Sequence, residues 1–274
     1  MSVERQKLVT ELQAAAKKVA DIIRDADTTK KIPDSEWTVG DTIAHIVVSQ
    51  YLITSFMTGK NEYIPDPENF VAEVSKNLSR EYVAKINKKF LSKFSQRNGA
   101  DLADSLIKEI NSLITTGAKF PDDRMFATHY GKMTVPVLFS YCLLHLLAHG
   151  SAVAKTLNKS LPVTSANTGL TIPYIKVAME KLFDKKAAGE LTANFVLEMR
   201  KVETFVIHIH KGEIKIDTAL PVSVDARIAL DSLTFFLVAN GYQSLWSALF
   251  SGKIRLSGRK PWLALKLQSL FQGL

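Results

Sequence analysis

The chain has 274 residues, 46% of them hydrophobic, one cysteine and a formal net charge of +8. That length suits two domains, and that apolar share can fill a core in each. The single cysteine, Cys142, excludes an internal disulfide and a zinc knuckle of paired thiolates, so metal chemistry would have to rest on histidine.

The longest apolar run, Met133 to Ala148, is too short and too interrupted for a bilayer span, and the charged start M-S-V-E-R-Q-K is not a signal peptide. A cytoplasmic protein with no transmembrane segment is expected. The charge is uneven. After Asp231 there is no acidic residue, whereas Lys253, Arg255, Arg259, Lys260 and Lys266 all follow. Such a tail is either a solvated basic surface over two core tryptophans, Trp246 and Trp262, or a peripheral contact with anionic lipid that uses those rings at the interface. No nucleic-acid recognition motif accompanies it. Nothing in the sequence sets the oligomeric state.

In chain order, Val3 to Ala26 has the period of an amphipathic helix, with Leu8, Leu12, Ala15, Val19, Ile22 and Ile23 on one face. A capping box of Thr38 and Asp41 predicts a second helix from Val39, with His45 in its second turn. Gly59 to Pro67 is a loop pattern, Arg80 to Phe94 and Asp101 to Thr115 are helical, and Asn98-Gly99 breaks between them. The last helix of this half runs from about Thr134 to Leu157, with Pro136 in its first turn. Residues 1–160 are thus expected to be an all-α bundle, 161–173 a linker rich in Ser, Thr, Asn, Gly and Pro, and 174–274 an α+β domain.

In that second domain a helix is expected over Tyr174 to Lys186, then strands over Phe195 to Met199, Thr204 to His210 and Glu213 to Asp217, with a hairpin at Lys211-Gly212. Alternation sends Phe205, Ile207 and Ile209 to one side, and Val206, His208 and His210 to the other, where the two histidines fall together. The latter pair reads as the solvated side of a sheet rather than a second metal site.

His145 and His149 stand i,i+4 in Y-C-L-L-H-L-L-A-H-G, so their Cβ atoms lie roughly 5–6 Å apart on one helix face and both rings can reach one ion. His45 could supply a third ligand. The other reading is a set of core histidines with satisfied rings. Cys142, on the same face, is a buried structural thiol or a further ligand, and His129 and Tyr130 are loop residues or proton donors to the site.

The stretch L-V-A-N-G-Y-Q-S-L-W-S-A-L-F-S-G-K-I-R-L-S-G-R-K-P-W-L-A-L-K-L resembles the end of the sterol carrier protein lipid-binding domain, at Gly241, Phe250, Gly252, Lys253, Ile254, Gly258, Ala264, Lys266 and Leu267. The resemblance implies a twisted sheet backed by helices around an apolar tunnel. The tunnel candidates are Phe235, Phe236, Leu245, Trp246, Leu249 and Phe250. The alternative is a filled core.

The pieces W-T-V-G-D-T-I-A-H-I and G-K-M-T-V-P-V-L-F-S-Y-C-L-L-H-L-L-A-H-G resemble the DinB-like four-helix bundles, and among them the thiol-dependent (mycothiol-type) maleylpyruvate isomerase family. That resemblance implies a divalent metal, commonly zinc, at His45, His145 and His149, and a sterol-carrier-like partner domain. The isomerase branch often has Glu where His145 stands, which points away from maleylpyruvate itself. A low-molecular-weight thiol at such a metal could add to an activated double bond and leave, giving isomerisation, or displace a leaving group, giving thiol transfer. The resemblance also implies a cleft between the domains; the bidentate chemistry of Arg, with no acid competing nearby, makes Arg255 and Arg259 the candidates to meet an anionic substrate there, the other reading of each being ordinary solvated surface. The competing function is lipid or sterol carriage, with the bundle as an accessory.

Overall fold

The computed structural model describes residues 2–59, 67–76 and 78–271, and the chain divides into two compact units, Met1–Val163 and Thr164–Leu274. The first is largely helical. Four long helices, α1 (Val3–Ile23), α2 (Val39–Thr58), α5 (Gly99–Gly117) and α6 (Val135–Thr156), surround one core, with α5 and α6 each packed against both α1 and α2. Between them come α3 (Pro67–Val74), α4 (Arg80–Lys93) and an antiparallel hairpin of β1 (Met125–Thr128) and β2 (Gly131–Thr134). The sequence pattern did not show the hairpin or α3. Of the expected loop at Gly59 to Pro67, residues 60–66 lie outside the described residues, Gly59 caps α2 and Pro67 opens α3.

Apolar residues at helical spacing make this core: Leu8, Leu12, Val19 and Ile23 on α1 and Leu102, Leu106, Ile110 and Leu113 on α5 are all almost fully buried. Helix α6 has 22 residues and is long and apolar enough to cross a membrane by length and composition alone, which corrects the expectation that its apolar run is too short. In this fold it is one of the four core helices of the bundle, with Leu138, Phe139, Leu143, Leu146 and Leu147 buried.

Helix α2 starts where its cap dictates. The Thr38 hydroxyl accepts from the Asp41 N–H at 3.1 Å, and the Asp41 carboxylate accepts from the Thr38 N–H at 3.1 Å. Arg97 then reaches back from beyond α4 to pair with Asp41 at 2.8 Å while donating to the carbonyl of Leu91 at 3.0 Å. Gly99 is required by close approach, since a Cβ there would overlap the Ile23 carbonyl at the end of α1.

In the second unit, α7 (Ser165–Gly169), α8 (Ile172–Leu182) and α9 (Lys185–Ala188) precede a five-stranded sheet of order β5-β4-β3-β6-β7. Its strands are β3 (Thr192–Met199), β4 (Glu203–His210), β5 (Glu213–Asp217), β6 (Ala226–Leu230) and β7 (Arg255–Ser257), with α10 (Ser232–Ala239) and α11 (Leu245–Phe250) between the last two. Only β3 and β6 pair in parallel. Lys211 and Gly212 both have positive φ, 47° and 76°, as a two-residue hairpin turn between twisted strands requires. At the edge strand β5, the Ile216 N–H donates to the Glu180 carboxylate of α8 at 2.8 Å.

Two expectations need correction here. Residues 164–173, read as linker, are folded into this unit. Thr164 and Asn167 form a capping box for α7, and Thr168 is fully buried, bonding Ser232 of α10 at 3.0 Å. The polar residues of the segment are caps, not solvated loop. The histidine face of β4 is not simply solvated either. Val206 is as buried as Phe205 and Ile207, so the middle of the sheet is covered on both sides; His208 bonds Asn194 at 2.8 Å and His210 is exposed.

Asp225, before β6, is buried and ties this unit together: it accepts from the Asn194 N–H at 3.0 Å and pairs with Arg259 at 2.8 Å. Burial opposes its ionisation, but those donors outweigh burial and hold the carboxyl below the usual range. Gly258, with φ of 104°, lets the chain pass so close that a Cβ would strike the Asp225 carbonyl. Asp225→Asn is expected to destabilise the second unit by about 1.5–3 kcal/mol, as for hydrogen bonds to a charged group. Arg259→Ala should cost far less, because that side chain is 62% exposed and its charge is screened. Urea unfolding followed by tryptophan emission checks both.

Candidate functional site

Three rings from two helices meet inside the bundle. His45 comes from the second turn of α2, and His145 and His149 from successive turns of α6. One nitrogen of each lies within 4.8 Å of the others, and Nε2 of His45 and Nε2 of His145 are 2.9 Å apart. Ring centroids are 4.7 Å apart for His45 and His145, 5.1 Å for His45 and His149, and 4.5 Å for His145 and His149. Trp37, next to the α2 cap, packs on His45 at 4.8 Å, so the capping box and Arg97 also set one wall of the site.

The rings form one end of a cavity of about 250 Å³. Its polar end also includes Ser49, His129, Tyr130 and Tyr141. His129 and Tyr130 sit at the tip of the β1–β2 hairpin with ring centroids 4.2 Å apart, and Tyr130 is 6.0 Å from Tyr141, which in turn is 5.5 Å from His145. The hairpin therefore brings both expected proton-donor candidates to the cavity that holds the histidines. The other end is apolar, with Leu52, Ile53, Phe56, Phe70, Ile86 and Phe90 among its walls. Sequence reading missed Trp37 and Ser49 as site residues, and α3 and α4 as walls. Trp37 beside a helix cap and eight residues before a histidine was the available signal.

Burial sets the protonation. Desolvation pushes His149 and His129 down to about 4, and His45 and His145 well below the ordinary imidazole value, with the neighbouring rings adding to the effect. All four are neutral near pH 7, so each ligand candidate offers a lone pair. A tetrahedral ion with bonds of about 2.0–2.1 Å separates its nitrogens by roughly 3.3 Å, between the 2.9 Å and 4.8 Å found here. The donor set fits a divalent ion without selecting zinc. Nδ1 of His129 and Nδ1 of His145 are buried and have no hydrogen-bond partner among the described residues. Cys142 is not part of the group; it is fully buried, and burial drives its thiol well above its usual value, which removes it as a ligand or nucleophile.

In the second unit a smaller apolar cavity of about 100 Å³ lies between the sheet and its covering elements. Of the tunnel candidates, Phe235 and Leu245 line it. The others do not. Phe236 is buried in the core beside Tyr242, Leu249 is only partly buried, and Trp246 and Phe250 are 57% and 87% exposed, stacked on each other at 6.3 Å. A six-residue helix can bury only one face, and α11 buries Ala248. Walls that the sequence reading missed include Leu197, Ile228 and Leu230 of the sheet, and Ala264 and Leu267 near the C-terminus. Arg255 is exposed on β7. Arg259 faces a competing acid after all, since Asp225 holds it.

Residues 178–272 match the SCP-2 sterol transfer family. No curated protein matches the chain. Among solved structures, a mutant of the mycothiol-dependent maleylpyruvate isomerase is 12% identical, covering 94% of this chain and 96% of that one with a TM-score of 0.51. At that identity the likeness is one of fold. The SCP2-like 2 protein of Aedes aegypti is 24% identical over 39% of this chain and 96% of its own, with a TM-score of 0.32. The sec-alkylsulfatase Pisa1 of a Pseudomonas species is 11% identical over 51% of this chain with a TM-score of 0.34, and the match spans 25% of that enzyme's length. The chain thus carries a C-terminal SCP2-like domain after a largely helical region.

The buried neutral rings fix the acid response of the bundle. An unfolded histidine takes up its proton near pH 6.5, whereas His129 and His149 in the fold do so only near 4. Stability of chelator-treated protein is therefore expected to be greatest above pH 6.5 and to fall toward pH 4, by about 1.4 kcal/mol per pH unit for each such ring. Thermal melts across that range check it, and His149→Gln should reduce the slope.

Proposed function

We propose that this protein binds and carries an apolar, lipid-like molecule in its second unit. The match of residues 178–272 to the SCP-2 sterol transfer family carries this reading, and the cavity walled almost wholly by apolar side chains supports it. At about 100 Å³ the cavity is well below the 300–1,000 Å³ of ordinary ligand pockets, so an acyl chain has to displace part of the wall. The short elements are the ones to move. Leu245 of α11 and Leu265 of the 3-10 turn Pro261–Lys266 line the cavity, while their neighbours Trp246, Phe250 and Trp262 are exposed. With Lys253, Arg255 and Lys266 also exposed, this side suits brief contact with an anionic bilayer during loading. A fluorescent fatty-acyl probe should be taken up saturably by the whole chain. Val238→Trp, which adds bulk to the cavity wall, should weaken uptake at least tenfold.

A second reading is favoured by the three convergent imidazoles: the bundle is a metal-dependent enzyme that uses a low-molecular-weight thiol for isomerisation or transfer. His45, His145 and His149 would hold the ion. A divalent ion with an open position lowers the pKa of a bound thiol or water, supplying a nucleophile at neutral pH. Trp37 and Tyr141 confine the rings, and the walls limit water around them. Tyr130 lines the same cavity as a candidate proton donor, whereas His129, neutral at pH 7, would accept a proton or donate a hydrogen bond rather than act as an acid. Elemental analysis of untagged protein should find about one divalent ion per chain, and His149→Ala should lose it; unchanged metal in that variant would refute the ligand set.

A further inference from the structure

We propose that the bundle cavity takes a neutral or singly charged molecule with an apolar body, its one polar head at the histidines and its body in the phenylalanine-walled arm. The head rests on the metal reading given above; the arm does not. No Lys, Arg, Asp or Glu is among the described residues lining the cavity. A small dicarboxylate could place one carboxylate at an ion, but the second would be buried in the arm with no cation among the described lining residues to pair it, which costs several kcal/mol. The arm suits carbon instead. Phe56, Phe70 and Phe90 form a chain of ring contacts at 6.5 Å and 5.7 Å, Ile86 packs beside them, and among the described residues Asn87 is the one amide side chain on the wall. A cavity of about 250 Å³ has room for roughly eight water-sized groups at about 30 Å³ each, the size of a short alkyl chain or one aromatic ring with its head. The buried Nδ1 of His129, without a partner among the described residues, gives the polar end a site for one more hydrogen bond to such a head. The bundle then works on the same broad ligand class as the apolar cavity of the second unit.

Trp37 allows a test in the full chain, because the only other tryptophans are Trp246 and Trp262. In the Trp246→Phe, Trp262→Phe protein, emission reports the histidine end alone. Acetohydroxamic and hexanohydroxamic acids share a metal-binding head and differ by methylenes, each worth about fourfold in affinity when fully buried. With metal content measured first, hexanohydroxamic acid should bind at least about thirtyfold more tightly than acetohydroxamic acid and more tightly than maleate. Val83 of α4 also lines the cavity, and Val83→Phe and Ile86→Asn should each remove that preference while leaving metal content and acetohydroxamic acid binding unchanged. Equal affinity for the two hydroxamates, or tighter binding of maleate, overturns the proposal. If no metal is found, the head assignment fails, and the arm is tested with n-butanol and n-hexanol. Tighter hexanol binding, lost in Val83→Phe, upholds the arm, and no Trp37 response to either alcohol rejects it.

Discussion

The first unit is organised around a pair of neutral imidazole nitrogens 2.9 Å apart where α2 and α6 meet. Two protonated rings at that distance would repel strongly in a medium that solvates them poorly, so the approach requires uncharged rings, and desolvation keeps them so. The remainder of the unit keeps α2 in register. The Thr38 and Asp41 cap fixes its first turn, Arg97 couples that turn to the end of α4, and Gly99 lets α5 lie against the end of α1. Moving α2 along its axis by one residue, about 1.5 Å, would break the approach and swing Trp37 off the rings.

Within the second unit the division of labour is different. A sheet covered on both faces supplies rigidity, while the pieces that close the apolar cavity are a six-residue helix and a 3-10 turn with few buried residues. Elements so short contribute little burial each and open at low free-energy cost. That separation lets a stable frame coexist with a wall that yields to a guest, and it leaves large aromatic side chains outside on the yielding part.

Much of this was legible in the chain. The cap at Thr38, the spacing of His145 and His149, the turn at Lys211-Gly212 and the proline in the first turn of α6 are local signals whose meaning does not depend on distant contacts. The β1–β2 hairpin was not legible, because His129-Tyr130 lacks the usual turn pair and its strands are only four residues long. The polar segment before α8 was misread since Thr and Asn serve helix caps as readily as loops. Hydrophobicity placed Trp246 and Phe250 inside, but burial is set by how many faces an element can cover, and only the fold shows that. The competing acid at Arg259 lies 34 residues away in sequence, beyond any local pattern.

The Glu180 carboxylate on the Ile216 N–H bears on how the molecule behaves in a crowd of its own copies. Strand β5 ends the sheet, and an open edge invites another chain to add a strand. Here one donor of that edge is already engaged by α8, and Glu213, Lys215 and Asp217 place a charge at every second position, so an incoming strand would meet an occupied amide and alternating charges. On the carrier reading proposed above, such a guarded border would matter more than usual, because an opening that admitted a lipid would also expose surface that could nucleate assembly.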